Sequence, residues 1–145
     1  MDHEAPEPVG LYEPFVASGS LIALSAISSA EDGQLITGKV GRDLDLAAAR
    51  KAAERAARNL LAVLRDAAGG DLSRVRHLLL VRGHVNAADD FLFVHKVIDA
   101  ASVVIVAELG ANGRHARTAI GCTALPNGNA VTLEALAVLD PAELG

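Results

Sequence analysis

The spacing of apolar residues predicts one long amphipathic helix in the first half of the chain. Between residues 45 and 70, apolar side chains recur at steps of three and four residues, which places them on one helical face. Asp45 is suited to cap the N-terminus, and Gly69 with Gly70 is suited to end the helix. The other face is rich in arginine, which we interpret as a solvated surface. The predicted buried stripe consists of Leu46, Ala49, Ala53, Ala57, Leu60 and Leu64.

Apolar runs of strand length lie on both sides of this helix. Residues 13–18 and 20–28 form two short runs with a tight connection, and residues 74–86 form a third. The stretch from Asp90 to Gly110 contains no helix breaker, so its β-branched residues are assigned to a second helix rather than to a strand. Two more strands follow. The order strand, strand, helix, strand, helix, strand, strand predicts an α/β sheet with two helices on one face.

The last two strands are predicted to form a hairpin. If residues 126–129 form its loop, Gly121 faces Glu134 and Arg117 faces Val138. Glu134 then has room beside a glycine. Arg117 and Glu134 share a face but lie roughly 13 Å apart, which is too far for a direct ion pair within one chain. Each charge therefore needs another partner.

The final strand is apolar on both faces, which predicts an oligomer. An antiparallel sheet with one face in water normally alternates apolar and polar residues, so we expect another subunit to cover the open face. Arg117 and Glu134 then find partners either in intersubunit salt bridges or in a small anion held between subunits. One face carries Val131, Leu133, Ala135, Ala137 and Leu139, and the other carries Thr132, Glu134, Leu136 and Val138.

Composition restricts the functional classes. The 145 residues, 51% of them hydrophobic, suffice for one domain. We place it at residues 10–140, between a flexible arm at 1–9 and a tail at 141–145. The net charge of −5 and the 3% aromatic content argue against a nucleic-acid surface. With one cysteine, no signal peptide and no apolar run of membrane-spanning length, we expect a cytoplasmic protein without membrane contact.

Four segments together resemble the RidA/YjgF family, which is also labelled L-PSP endoribonuclease-like. The strongest match is "ARTAIGCTALP" followed by "VTLEALAVL", which resembles the family's A-R-S/T segment, Leu-Pro turn and E-x-E-A-x-A strand. The other three are "GLYEPFVASGSLIALSA", "GQLITGKVGRDL" and "VNAADDF". The match extends over most of the chain.

This resemblance implies a chorismate-mutase-like α+β two-layer fold, a homotrimer, and ligand sites in clefts between subunits. Archetypal members hydrolyse enamine and imine intermediates such as 2-aminoacrylate to 2-keto acids and ammonia, without metal or organic cofactor. The arginine matching Arg117 clamps the substrate carboxylate, a role suited to the two parallel hydrogen bonds of a guanidinium. Residues matching Tyr12 and Ser25 line the same cleft.

The sequence departs from the archetype at the proposed reaction centre. Thr132 stands where the family has the glutamate that positions the attacking water, and Glu134 matches the second glutamate of the strand. Ala119 replaces a reactive cysteine, and with Gly121 it is predicted to shape the pocket wall. A threonine hydroxyl orients water but is a poor base at neutral pH.

We therefore predict a hydrolytic deaminase with Arg117, Thr132 and Glu134 as catalytic residues and a small carboxylate-bearing metabolite as substrate. A hydrolase of a different carboxylate, or a non-catalytic trimer that binds carboxylates, stays open. A ribonuclease is opposed by the acidic charge. The five histidines lack metal-ligand spacing, so we expect no metal site. His84 and His95 are assigned to an interface, and His115 is a candidate for the cleft border.

Overall fold

The computed structural model describes residues 3–141, so most of the predicted C-terminal tail lies outside the described residues. Five strands form one sheet, and two helices pack on one of its faces, which confirms the predicted α+β two-layer architecture. The elements are β1 (Phe15–Ser18), β2 (Leu21–Ile27), α1 (Leu46–Ala67), β3 (Val75–Asn86), α2 (Val94–Leu109), β4 (Ala116–Cys122) and β5 (Val131–Leu139).

The strand order across the sheet is β1-β2-β5-β3-β4. Strands β3 and β4 are parallel, and all other neighbours are antiparallel. Parallel neighbours need a crossover between them, and α2 is that crossover. The long strand β3 therefore pairs on both sides, and β4 forms one edge of the sheet.

The predicted hairpin between the last two strands is wrong, because β3 lies between β4 and β5. An Asn-Gly turn between apolar runs is a local hairpin signal. Here the crossover through α2 already fixes β4 beside β3 in parallel, and residues 123–130 carry the chain past the end of β3. The observed pairs are Arg117 with Val81, Gly121 with Val85, Glu134 with Arg82, and Val138 with both His77 and Leu21.

Close packing between helices and sheet depends on small residues. The side chain of Asp45 accepts a hydrogen bond from the backbone amide of Ala48 and caps α1, as predicted. Five alanines of α1 are fully buried in the core. On β3, a Cβ added to Gly83 would lie 2.5 Å from Cδ1 of Ile98, so α2 rests directly on this glycine. The buried alanines are Ala49, Ala52, Ala53, Ala56 and Ala57.

The sheet face opposite the helices is apolar and partly exposed. Val16 is 61% exposed and Leu21 is 45% exposed, and Ile120 on β4 is 44% exposed. The side chains of β5 alternate as predicted, with Leu133 buried toward the helices and Leu136 half-buried on the open face. Its coverage by a second subunit stays a prediction.

The described part of the N-terminal arm, residues 3–9, contacts α1 at its beginning, and residues 6–9 line a cavity. His3 hydrogen-bonds through Nε2 to Oδ1 of Asn59, and its carbonyl accepts a 2.7 Å hydrogen bond from Arg65. Ala5 packs against the core. The mobility of the arm stays a prediction, and these contacts hold its beginning against the helix. Over residues 3–141, neither helix combines the length and the apolar character needed to cross a membrane.

Candidate functional site

A cavity of about 310 Å³ lies on the open face of the sheet, beneath the N-terminal arm. Its wall includes Tyr12, Ser25 and Thr132, three of the residues that the sequence predicts for the site. His84 of β3, which was predicted to lie at an interface, also lines the cavity. Residues from four separate parts of the chain thus meet in one concave region, which is the usual form of a small-molecule site.

A β-bulge directs Ser25 into the cavity wall. The pairing of β2 with β5 shifts between Leu24 and Ile27, which leaves Ser25 and Ala26 outside the regular ladder. The Ser25 hydroxyl donates a 2.7 Å hydrogen bond to the carbonyl of Glu13, and its backbone amide donates to the carbonyl of Pro14 at 3.0 Å. These bonds fix the segment that carries the neighbouring Tyr12.

Buried amides fasten the loops that close the cavity. Asn129 is 2% exposed, and its side-chain oxygen accepts a 3.0 Å hydrogen bond from the hydroxyl of Ser29. Asn59 of α1 donates to the carbonyls of Ser28 and Ala30 at 2.7 and 2.8 Å. Since Ser28 and Asn129 both line the cavity, this wall is anchored to the core.

Thr132, His84 and Glu134 form a polar group on the open face. Thr132 of β5 and His84 of β3 are cross-strand partners, and Glu134 pairs in the same way with Arg82. Nε2 of His84 lies 3.8 Å from one carboxylate oxygen of Glu134, and Nη1 of Arg82 lies 3.7 Å from the other. These are ion-pair distances, too long for direct hydrogen bonds. His84 and Thr132 line the cavity, with Glu134 behind them.

Arg117 lies on the helix side of β4 and belongs to a different cluster. Its Nη1 donates to Asp99 at 2.7 Å and to the hydroxyl of Ser102 at 3.2 Å, both on α2, and Nη2 lies 3.4 Å from the carbonyl of His95. The prediction that Arg117 and Glu134 share a face is therefore wrong. Parallel pairing with β3 turns Arg117 toward the helices, whereas Glu134 points to the open side.

His115 is connected to Arg117 through Ser102. The Nδ1 atom of His115 lies 2.6 Å from the carbonyl of Gly113, and since a carbonyl only accepts, Nδ1 carries the proton. In the neutral ring Nε2 then accepts the 2.9 Å hydrogen bond from the Ser102 hydroxyl. Ser102 is free to accept in turn from Arg117. The histidine thus orients the serine that supports the guanidinium.

Ala119 and Gly121 continue along β4 on the same side as Arg117. Ala119 packs against the core, and the neighbour of Gly121 is Val85 rather than Glu134, which corrects the predicted pairing. A Cβ added to Gly121 would make ordinary contacts, 3.5 Å from Val94 at the closest. Within one chain the predicted residues therefore form two groups, one at the cavity and one on the edge strand β4.

His84 is the residue that sequence reasoning missed. The signal was its position on β3 across from Thr132, but this pairing is visible only once β3 is placed beside β5. Within residues 3–141, histidine, cysteine, aspartate and glutamate side chains form no group of three or more that could hold a metal ion.

Comparison with known proteins places this fold and sequence in one family. A family model described as "YjgF/chorismate mutase-like, putative endoribonuclease" matches residues 3–139. Protein TCP17 of Trypanosoma cruzi is 33% identical over 138 residues, which cover 94% of this chain and 86% of the relative.

Solved structures agree with this assignment. A protein of unknown function from Agrobacterium tumefaciens is 42% identical with a TM-score of 0.88, covering 92% of this chain and 85% of that one. A protein from Shewanella oneidensis described as a putative endoribonuclease is 27% identical with a TM-score of 0.90, covering 94% and 91%. The YjgF gene product of E. coli, 23% identical with a TM-score of 0.68 over 93% of each chain, shows the same fold. The chain belongs to the YjgF/chorismate mutase-like family.

Proposed function

We propose that the protein is a RidA-like hydrolytic deaminase that converts reactive enamine or imine intermediates to 2-keto acids and ammonia. The observation that carries this proposal is the cavity that contains Tyr12, Ser25 and Thr132 together. These three residues come from separate segments, and the family resemblance assigns each of them to the substrate cleft or its water. The cavity of about 310 Å³ is of a size suited to a small metabolite.

The carboxylate anchor is proposed to come from a second subunit. Arg117 lies on the edge strand β4 and on the helix side of the sheet, while the cavity opens on the other side. A homotrimer in which β4 of one subunit approaches the cavity of the next completes the site. The exposed apolar side chains of Val16, Leu21 and Ile120 support such an interface.

The guanidinium of Arg117 is positioned to bind a planar anion. Asp99 and Ser102 hold its Nη1, and the side chain of Arg117 keeps 23% of its surface exposed. A substrate carboxylate can take two parallel charge-assisted hydrogen bonds from a guanidinium, which fixes the neighbouring imine carbon in space. Asp99 is 51% exposed, so it can turn aside into solvent when the substrate carboxylate arrives.

The proposed reaction needs only water. Water adds to the imine carbon, the resulting amino alcohol loses ammonia, and the carbonyl forms. The hydroxyl of Thr132, 9% exposed at the cavity wall, orients the water. Tyr12 and Ser25 line the space occupied by the substrate side chain.

The deciding experiment is turnover of freshly generated 2-aminoacrylate, followed as keto-acid release. Wild type should accelerate release, and Arg117→Ala should lower kcat/KM by about 100-fold or more, since a charge-assisted carboxylate clamp is lost. Arg114→Ala is the matched control, because Arg114 is an exposed arginine three residues earlier whose backbone carbonyl accepts a hydrogen bond from His77. Equal activity of wild type and Arg117→Ala would refute the anchor.

Three alternatives predict different results in this assay or in parallel measurements. Calorimetry with 2-keto acids that shows binding without any turnover would support a carboxylate-binding trimer. Turnover of larger imino acids but not of 2-aminoacrylate would support a different substrate, in keeping with Ala26 and Ile27 in the cavity wall. Cleavage of RNA under the same conditions would instead support the activity described for several relatives. Light scattering at the assay concentration decides the proposed trimer.

A further inference from the structure

We propose that His84 is the general base that activates the attacking water, replacing the carboxylate that the family resemblance would place at Thr132. The inference rests on the proposed deaminase function and names the group that performs its proton transfer. The sequence alone leaves this step without a base, because a threonine hydroxyl cannot accept a proton at neutral pH. General-base help is worth about 10²- to 10⁴-fold in rate, so an efficient enzyme needs another group.

The position of His84 matches the missing carboxylate. His84 and Thr132 are directly opposite each other on β3 and β5, and their side chains project from the same face of the sheet. Cross-strand partners of this kind have Cβ atoms about 4.5–5.5 Å apart. A base on either residue can therefore reach the same water. His84 lines the cavity, and 24% of its side chain is exposed there.

Glu134 acts on the imidazole of His84 through its negative charge. Its carboxylate faces Nε2 at 3.8 Å, which favours the proton on Nε2 and leaves the lone pair on Nδ1. The same carboxylate stabilises the imidazolium that forms when Nδ1 takes a proton. The charged and titratable groups that face the ring or share its cavity are Glu134 on β5, Arg82 on β3, Glu7 on the N-terminal arm, and Tyr12 between the arm and β1. The positive charge of Arg82 is itself paired with Glu134 at 3.7 Å.

The proton and electron movements balance without any co-reactant. 2-Aminoacrylate first takes a proton from solvent on its terminal carbon, where the C=C electron pair forms the new C–H bond, and the nitrogen lone pair forms the C=N bond of the iminium. Water oxygen then bonds to the iminium carbon, the C=N electron pair moves to nitrogen, and one water proton passes to Nδ1 of His84. The imidazolium then returns this proton to the amino nitrogen of the amino alcohol. The C–N bond breaks with its electron pair on nitrogen, the hydroxyl loses its proton to His84, and the carbonyl forms. That last proton passes to the departing ammonia, so the imidazole is regenerated.

The test compares His84→Gln with wild type on 2-aminoacrylate. We expect kcat to fall about 100-fold while KM and the calorimetric affinity for the 2-keto acid product change less than about threefold, because Arg117 still binds the carboxylate. His77→Gln is the matched control, since His77 lies on the same strand and bonds to the carbonyl of Arg114.

Two further variants show whether His84 acts as a general base or has only a structural role. In His84→Ala, added imidazole should restore turnover in proportion to its concentration. In the double variant His84→Gln with Thr132→Glu, a carboxylate on the opposite strand should recover at least about tenfold in kcat. Circular dichroism and thermal melting confirm that each variant is folded.

The outcomes distinguish the two proposals. If wild type is active and His84→Gln retains its kcat within about threefold, the base is wrong and the deaminase stands. If His84→Ala loses activity but gains nothing from imidazole, and the glutamate at position 132 also restores nothing, His84 is a structural residue only. If wild type hydrolyses no imine, the deaminase fails and the assignment of His84 fails with it.

Discussion

Replacing Asn59 with alanine tests whether the buried amide on α1 holds the cavity wall. Asn59 is 1% exposed, and its Nδ2 donates hydrogen bonds of 2.7 and 2.8 Å to the carbonyls of Ser28 and Ala30. Its oxygen pairs with Nε2 of His3 on the arm. One side chain thus ties both the loop after β2 and the N-terminal arm to the first helix.

The cost of this substitution can be worked from its bonds. Each hydrogen bond contributes about 0.5–1.5 kcal/mol net, and a buried carbonyl left unpaired adds a desolvation penalty of about 1–3 kcal/mol. Alanine recovers about 0.5 kcal/mol through its higher helix propensity, and water entering from the cavity can satisfy one carbonyl. The two donated hydrogen bonds and one unpaired carbonyl, less the gain in helix propensity, predict that Asn59→Ala lowers the free energy of unfolding by about 1.5–5.5 kcal/mol.

Urea denaturation measures this loss as a lower midpoint at constant slope. Asn112→Ala is the matched control, because its exposed side chain makes one long hydrogen bond of 3.3 Å to the carbonyl of Val75, and we expect a change of less than about 0.5 kcal/mol. Asn59→Asp keeps the shape but loses both donors, so it should destabilise at least as much. A loss below about 1 kcal/mol in Asn59→Ala would refute this account of the wall.

Two other perturbations follow from single contacts. Gly83→Ala places a Cβ 2.5 Å from Ile98 and should cost about 1–3 kcal/mol. The double variant with Ile98→Ala should lose less stability than the sum of the two single losses, and additive losses would disprove the clash. The pKa of Asp43 is lowered by hydrogen bonds from Arg42 and from a backbone amide. A lowered folded pKa stabilises above the unfolded value of about 4 and ceases to do so as the pH falls through the folded value. The stability difference between wild type and Asp43→Asn should therefore shrink as the pH falls below about 4. A pH-independent difference in urea midpoints would contradict this prediction.

Local sequence patterns predicted the helices and strands, whereas the composition of the site depends on which strands pair, and this pairing joins residues far apart in the chain. Helix α1, between Asp45 and Gly69, could be predicted from the sequence because capping, periodicity and termination all act within a few residues. The strand that pairs with β4 could not be predicted in this way. The Asn-Gly turn indicated a hairpin with β5, whereas the crossover through α2 places β4 beside β3. The family resemblance correctly indicated the fold, but it gave no information about His84. Tyr12 and Ser25 line one cavity, and their role in a substrate site stays a prediction.

The proposed base on β3 is consistent with the geometry of the open face of the sheet. A base moved along β5 by one position would point to the helices, because side chains alternate in a strand. The residue of β3 that pairs directly with Thr132 points to the same face of the sheet at the same level along the strands, and this residue is His84. Glu134 belongs to the next cross-strand pair on this face, and its proposed role is to stabilise the ring of His84, whose Nε2 lies 3.8 Å from the Glu134 carboxylate. Removing the charge in Glu134→Gln should therefore reduce kcat in wild type, yet have little further effect once His84 is replaced, and additive effects would show that the two residues act separately.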